Sequence, residues 1–183
     1  INGQKMWTSL IQYADWIWLA CRTDPDLPRH KGLSMILVPA QAPGVSYTPV
    51  HTVAGVGTSA TYYQDVRVPV DNLLGEEGGG FAIAQGRLGP GRIHHCMRSI
   101  GVAERALGIM VDRALVRTTF GTSVAHKGLI QDWIAEARID IEMIRLLTLK
   151  TAWMMDTVGN KQARVEIAAI KVAAPHIALK IID

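Results

Sequence analysis

The hydrophobic pattern of this 183-residue chain changes its period once, at a glycine-rich stretch between residues 75 and 80. Before that stretch, short runs of β-branched and aromatic residues alternate with turn signals such as Asp24-Pro25-Asp26 and Pro43-Gly44, which predicts antiparallel β structure. After it, apolar residues recur at spacings of three and four, as in bundled helices. The pattern predicts an α+β fold in which a partial β-barrel-like segment precedes a partial up-down α-helical bundle.

Individual elements follow from the same periods. Strands are predicted at residues 16–21, 33–38, 45–50 and 61–66, and the chain begins inside another strand. Apolar stripes predict helices at 93–115, 129–147 and 161–183. The last stripe covers much of the helix circumference, so we expect it to be covered on several sides and kinked at Pro175. Residues 1–72 are assigned to the C-terminal part of a β-domain, and residues 73–183 to an incomplete helical-bundle domain.

Composition excludes several classes of function. The net charge of +3 and pI near 9.0 suit an anionic ligand, but Lys and Arg are scattered, so no nucleic-acid partner is predicted. The sequence has no run of about 18 apolar residues that would predict a membrane span, and it has no signal-peptide pattern. We therefore expect the protein to be located in the bacterial cytoplasm or the mitochondrial matrix. Cys21 and Cys96 match no metal or disulfide spacing, and His94-His95 point about 100° apart on a helix, so no metal site is predicted.

Two segments with chemically useful side chains lie about 110 residues apart: Ile1–Ser9 ends in tryptophan and hydroxyls, and Arg117–Gly121 follows a helical stretch as a helix end that presents Arg and Thr. Together with the stretch Val68–Phe81, they resemble the flavin-binding parts and the domain junction of acyl-CoA dehydrogenases. The resemblance spans essentially the whole chain but only part of the family fold. We interpret the chain as a fragment or an incomplete record, because it begins within a strand and stops within an apolar helical pattern.

The resemblance implies FAD as the cofactor and assigns residues to it. Trp7 would shield the flavin, while Thr8 and Ser9 would offer a backbone amide and a hydroxyl near N5. Arg117, Thr118, Thr119 and Phe120 would reach the FAD of a neighbouring subunit, which implies a homodimer or homotetramer. Without the resemblance, we would interpret Trp7 as a core aromatic and Arg117 as a solvated helix charge.

Where the family commonly has a further flavin-contacting glutamine, this chain has Gly128, with Gln131 one helical turn away. The pocket for an acyl-CoA substrate would involve His30 and the segment Gly89, Pro90, Gly91 and Arg92, of which Arg92 is the strongest candidate for a phosphate contact.

No catalytic residue is assigned. The family base is a carboxylate on one of two elements; the first falls at Gly91, which cannot act, and the second would lie beyond Asp183.

The resemblance therefore implies an FAD-dependent acyl-CoA dehydrogenase, an oxidoreductase that converts an acyl-CoA thioester to the trans-2-enoyl-CoA and passes electrons to an electron-transfer flavoprotein. Three alternatives stay open. The first is an acyl-CoA oxidase or flavin monooxygenase on the same scaffold. The second is a non-catalytic flavin-binding or nucleic-acid-binding homologue. The third is a truncated product with a structural role.

Overall fold

The computed structural model describes residues 1–183, apart from the side chain of residue 56. The chain divides into two compact units, Ile1–Gln85 and Gly86–Asp183. The first consists mainly of strands and the second mainly of helices, and each is described separately. The predicted α+β composition is confirmed.

The first unit contains two three-stranded antiparallel sheets, ordered β1-β5-β4 and β2-β3-β6. The strands are β1 (Gly3–Ser9), β2 (Trp16–Arg22), β3 (Leu33–Pro39), β4 (Val45–Thr52), β5 (Gly55–Tyr63) and β6 (Leu73–Leu74). The predicted strands at 16–21, 33–38 and 45–50 are confirmed within two residues at each end.

The strand predicted at 61–66 is placed wrongly. β5 begins at Gly55, because its pairing with β4 continues as far as Thr52↔Gly55, and the glycines hide the alternation in that part. β5 ends at Tyr63, and two residues later Asp65 adopts a φ of 51°, which extended structure does not allow. The two-residue strand β6 was not predicted from the sequence.

The core of the first unit lies between the inward faces of its strands. Ile17 and Leu19 of β2 are buried with Val38 and Tyr63, while Trp16 and Trp18 on the opposite face of β2 are exposed. This alternation is the period-two pattern of a strand with one covered face.

The second unit contains the predicted bundle of three helices, and one of them starts in the first unit: α1 (Gly80–Val116), α2 (Gly128–Thr157) and α3 (Arg164–Ile182). α1 begins thirteen residues before the predicted stripe and runs through Pro90. A proline inside a helix removes one backbone hydrogen bond and crowds the carbonyl four residues earlier. That earlier residue is Gly86, where an added Cβ would meet no heavy atom within 4 Å apart from the local helix backbone.

The bundle core combines residues from all three helices, with Ile100 and Leu107 of α1, Ile141 and Ile144 of α2, and Ile170 of α3 fully or nearly buried. These positions follow the predicted spacings of three and four. None of the helices described is long and apolar enough to cross a membrane.

Some predicted core residues face outward. Leu115, Leu129 and Trp133 are each at least half exposed. The predicted stripes are therefore too wide there, because the other helices of the chain do not cover these side chains. In α3, Val165, Val172 and Leu179 are also mostly exposed, so this chain does not cover the helix on several sides as predicted. The helix is continuous through Pro175.

Charged residues join the helices at the bundle surface. Arg138 donates to both carboxylate oxygens of Glu104, at 2.8 and 3.1 Å, and Arg145 also contacts Glu104. Hydrogen bonding to Arg138 lowers the pKa of the Glu104 carboxyl. Because this network is partly exposed, its contribution to stability is modest.

Candidate functional site

Trp7 lies where β1 leaves regular pairing with β5. The register pairs Lys5 with Thr61 and Thr8 with Ser59, so β1 carries an extra residue there. Trp7 has a φ of 64°, in the left-handed region that bulky residues rarely adopt. Its side chain is 65% exposed, so little burial offsets a backbone cost of about 1–2 kcal/mol. A strained and exposed aromatic residue is a hallmark of a ligand or partner contact.

A chain of hydroxyl groups runs from the interior of this sheet to Thr8. The buried Tyr63 donates to Thr61 Oγ1 at 3.3 Å, and Thr61 Oγ1 lies 3.1 Å from Thr8 Oγ1. Because Tyr63 donates to Thr61, the Thr61 hydroxyl can donate to Thr8, which leaves the Thr8 hydrogen for a further acceptor. Burial raises the pKa of the Tyr63 phenol, so Tyr63 keeps the proton that begins this chain.

Ser9 is exposed at the end of β1, opposite Thr58 of β5. Thr58 Oγ1 is buried and has no hydrogen-bond partner among the described residues. An unpaired buried hydroxyl costs about 1–3 kcal/mol unless another group satisfies it. The end of β1 therefore offers polar groups to a ligand beside the exposed ring of Trp7.

The segment after α1 is a β-hairpin. β7 (Thr118–Thr119) pairs with β8 (Thr122–Ser123) across a two-residue turn in which Phe120 and Gly121 have φ values of 51° and 79°. Two positive φ angles are typical of a type I′ turn, which favours Asn or Asp before Gly. Phe120 instead presents a fully exposed ring at the tip. The prediction of a helix end is therefore wrong for both threonines of β7, because the I′ turn pairs them with β8.

Backbone acceptors hold this hairpin at the end of α1. Val124 N donates to Arg117 O at 2.8 Å, which closes the hairpin behind β8. Ser123 Oγ donates to Ala114 O at 2.9 Å, so a carbonyl of the last helical turn is satisfied. These hydrogen bonds therefore anchor the hairpin that carries the exposed Phe120 ring to the end of α1.

Arg117 is the first residue beyond α1, and its amide donates to Arg113 O at 3.0 Å. Its guanidinium is exposed and takes part in no ion pair among the described residues. Gly128 begins α2, and the Gln131 side chain donates to Ala125 O at 3.0 Å. Gln131 therefore supports the backbone behind the hairpin of its own chain.

His30 lies beside the first turn of α1. Its ring centroid is 5.5 Å from that of Phe81, and both side chains are substantially exposed. A Cβ at Gly80 would come within 2.7 Å of the Ser34 backbone, so only glycine allows α1 to start this close to β3. Gly78 N donates to Ser34 Oγ at 2.9 Å and fixes the approach to the helix.

The segment Gly89–Arg92 lies inside α1, two to three turns after its start. Arg92 is half-buried, whereas Pro90 is exposed. A Cβ at Gly89 would lie 3.9 Å from Asn160 Nδ2, so this part of α1 faces the connection between α2 and α3. The proximity of Asn160 was not predicted, because no local sequence signal links Gly89 to a residue so far along the chain.

Arg92 lies in the first half of α1, whereas Arg117 directly follows its last residue. At a rise of 1.5 Å per residue, the 24 helical steps between Arg92 and Val116 place them roughly 36 Å apart. The two arginines of one chain therefore belong to different candidate binding sites.

The comparisons with known proteins cover both units. The family model described as the acyl-CoA dehydrogenase middle domain matches residues 1–66, and the one described as the acyl-CoA dehydrogenase C-terminal domain matches residues 78–183. The chain belongs to the acyl-CoA dehydrogenase family. The resemblance read from Ile1–Ser9 and Arg117–Gly121 is thereby confirmed.

Acyl-CoA dehydrogenase relatives align along the entire chain. A Mycobacterium tuberculosis protein named as a probable acyl-CoA dehydrogenase, FadE2, is 49% identical over 100% of this chain and 46% of its own length. A solved Mycobacterium abscessus structure of the same family has 41% identity and a TM-score of 0.90, over 99% of this chain and 46% of that one. A glutaryl-CoA dehydrogenase in complex with glutaryl-CoA has 25% identity and a TM-score of 0.78, over 100% of this chain and 48% of that one. The chain thus spans about half the length of these relatives.

Proposed function

We propose that the protein to which this chain belongs is an FAD-dependent acyl-CoA dehydrogenase. It would oxidise an acyl-CoA thioester to the trans-2-enoyl-CoA and pass the electrons to an electron-transfer flavoprotein. Family membership supports the reaction class, and the strained, exposed Trp7 beside the Thr8 hydroxyl is the observation that carries the flavin assignment.

The end of β1 fits an isoalloxazine ring. A flat, mostly apolar ring system with polar edge atoms needs an aromatic surface and hydrogen-bonding groups, which Trp7, Thr8 and Ser9 supply together. The Thr8 hydroxyl, when it accepts from Thr61, keeps its hydrogen for a ligand, and the unpaired Thr58 hydroxyl adds polar capacity at the same place. When bound, FAD supplies the acceptor for the hydride lost from the substrate.

Arg117, Thr118, Thr119 and Phe120 are proposed to contact the FAD of a neighbouring subunit. The Arg117 guanidinium is free to pair with the pyrophosphate in the bidentate way that arginine favours. Phe120 projects away from its own chain, as a contact to another subunit requires. The protein would therefore act as a homodimer or homotetramer.

Exposed apolar residues support such assembly. On α2, Ile139, Met143, Leu146 and Trp153 follow one another at helical spacing and are each more than half exposed. A continuous apolar stripe on a helix surface is typical of a covered interface.

The acyl-CoA is proposed to bind near His30 and the segment Gly89, Pro90, Gly91 and Arg92. Half-burial of Arg92 suits a charge that holds a ligand oxygen, because partial desolvation strengthens charge-assisted hydrogen bonds. Gly89 and Gly91 have no side chains, so they would contribute only backbone groups and the shape of the binding site. The α-proton would be removed by a carboxylate outside residues 1–183, since Gly91 stands at one of the two positions where the family has its catalytic base.

We also propose that the β-domain ends at residue 72 and that the helical-bundle domain begins at residue 73.

The test is an anaerobic titration of the full-length protein with acyl-CoAs of increasing chain length, followed through the oxidised flavin absorbance. Bleaching of that absorbance is the expected result. Flavin that stays oxidised with every acyl-CoA, together with salt-sensitive DNA binding, would replace the proposal with a non-catalytic binding protein. Rapid peroxide formation on admitting oxygen would replace it with an oxidase or monooxygenase.

Matched tryptophan variants test the flavin assignment. Trp7→Ala should lower the flavin content of the purified protein, whereas Trp16→Ala, at a tryptophan of regular β2 that is 55% exposed, should leave it unchanged. Equal flavin content in both variants would contradict the role of Trp7.

A further inference from the structure

A second set of basic residues lies in the helical unit, in a cavity of about 480 Å³ between α1 and α3. α1 contributes His95, Arg98 and Ser99, at the spacings of three and four that place residues on one helix face. α3 contributes Lys171. Neither the flavin assignment nor the acyl-CoA assignment uses any of these residues.

A contact between α1 and α3 lies next to these residues in the sequence. Cys96, next to His95, donates its thiol to Ile170 O at 3.4 Å, and Ile170 precedes Lys171. Burial raises the pKa of the Cys96 thiol, and the positive charge of Lys171 opposes that increase.

The charges in this cavity are all of one sign. No Asp or Glu lines it, and Arg98 and Lys171 form no ion pair within the part of the chain that the structure describes. The larger cavity of about 690 Å³ differs, because Glu136 and Asp183 there accompany its cationic residues. Positive charges held together without a counter-charge favour an anionic occupant.

We propose that this cavity binds a phosphate group of a small-molecule ligand. The Arg98 fork, the Lys171 ammonium and the His95 imidazole line one cavity and together offer several hydrogen-bond donors, which suits the multiple acceptor oxygens of a phosphate group. The Ser99 hydroxyl donates to His95 O at 3.1 Å, so it lines the cavity without serving as a donor. The phosphate is either free orthophosphate or part of a phosphomonoester.

The first experiment is calorimetric titration of the full-length protein with orthophosphate and with glycerol phosphate, at low and high sodium chloride. Phosphate binding that weakens with salt is expected. Tighter binding of glycerol phosphate would identify an organic phosphate as the occupant, and equal binding would identify free phosphate. Wild-type protein that binds phosphate no better than chloride overturns the proposal.

Charge-removing variants localise the site. Arg98→Gln and Lys171→Gln should each weaken phosphate binding about fivefold or more, because a charge-assisted hydrogen bond is lost. Lys150→Gln and Arg164→Gln remove exposed cations elsewhere on the bundle and should not change it. If all four variants bind phosphate alike, the site is not in this cavity. Flavin content and acyl-CoA bleaching, recorded on the same samples, separate this result from a failure of the proposed dehydrogenase function.

Discussion

Replacing Phe120 by asparagine should stabilise the protein while weakening its hold on FAD. The ring is fully exposed and its φ is 51°, so the folded chain gains no packing and carries left-handed strain of about 1–2 kcal/mol. Asn followed by Gly is the preferred pair for a type I′ turn, so Phe120→Asn should recover about 1 kcal/mol. For a protein of this size class, the melting temperature should rise by about 2 °C.

The same variant should lose affinity for the cofactor. Burying a phenylalanine ring against a ligand contributes about 1.5–3 kcal/mol, and 1.4 kcal/mol corresponds to a tenfold change in affinity. The FAD dissociation constant of Phe120→Asn should therefore rise about tenfold or more. The two measurements are thermal unfolding of the full-length apoprotein and fluorescence titration of that apoprotein with FAD.

The control is Tyr13→Asn, which removes an aromatic ring that is 80% exposed and has no positive φ. It should change neither the melting temperature nor the FAD affinity. A clear drop in the melting temperature of Phe120→Asn would refute the strain reasoning, because it would mean that the ring gains more from packing against protein in the apoprotein than its backbone strain costs. Unchanged FAD affinity would refute the placement of the hairpin tip at the flavin.

Three further predictions concern the support of the site and of the bundle. Thr61→Val should remove the hydroxyl link and destabilise the protein by about 1–3 kcal/mol in urea unfolding, with lower flavin content, whereas Thr61→Ser should restore both. Gly80→Ala should destabilise by about 1–3 kcal/mol through backbone overlap, whereas Gly86→Ala, with open space around it, should be neutral or slightly stabilising. Glu104→Gln should lower the free energy of unfolding at neutral pH, and the difference from wild type should vanish in acid. Hydrogen bonding to Arg138 lowers the pKa of Glu104 in the folded protein. The stabilisation by the Glu104 carboxylate is therefore fully present above the unfolded pKa of about 4.3 and is lost as the pH falls through the lower folded pKa.

The helices were predictable because the buried residues themselves keep the helical period. Ile100, Leu107, Ile141 and Ile144 stand at spacings that a strand could not use. Their ends were less predictable. The Gly-Pro-Gly within α1 is a strong breaker signal, yet the helix continues through Pro90, because tertiary packing overrides local preference.

The hairpin tip was identified as functional from its residues but not as a hairpin. β7 and β8 have two residues each, too short for an alternating pattern, and a Phe-Gly pair is not a recognised I′ signal. Trp7, Thr8 and Ser9 were found through resemblance alone. The hydroxyl chain through Thr61 depends on strand register, and the bulge that sets this register leaves no mark in the sequence.

The unbroken length of α1 has a consequence for how this chain tolerates insertions and deletions. One residue gained or lost between Arg92 and Arg117 would turn the far end of the helix by about 100° and shift it by 1.5 Å. The Arg92 segment would keep its place while the hairpin swung to another side of the bundle. Single substitutions along this stretch can be tolerated, but its length cannot change without moving the hairpin. We expect homologues to differ in amino-acid sequence between these two arginines and to have the same number of residues there.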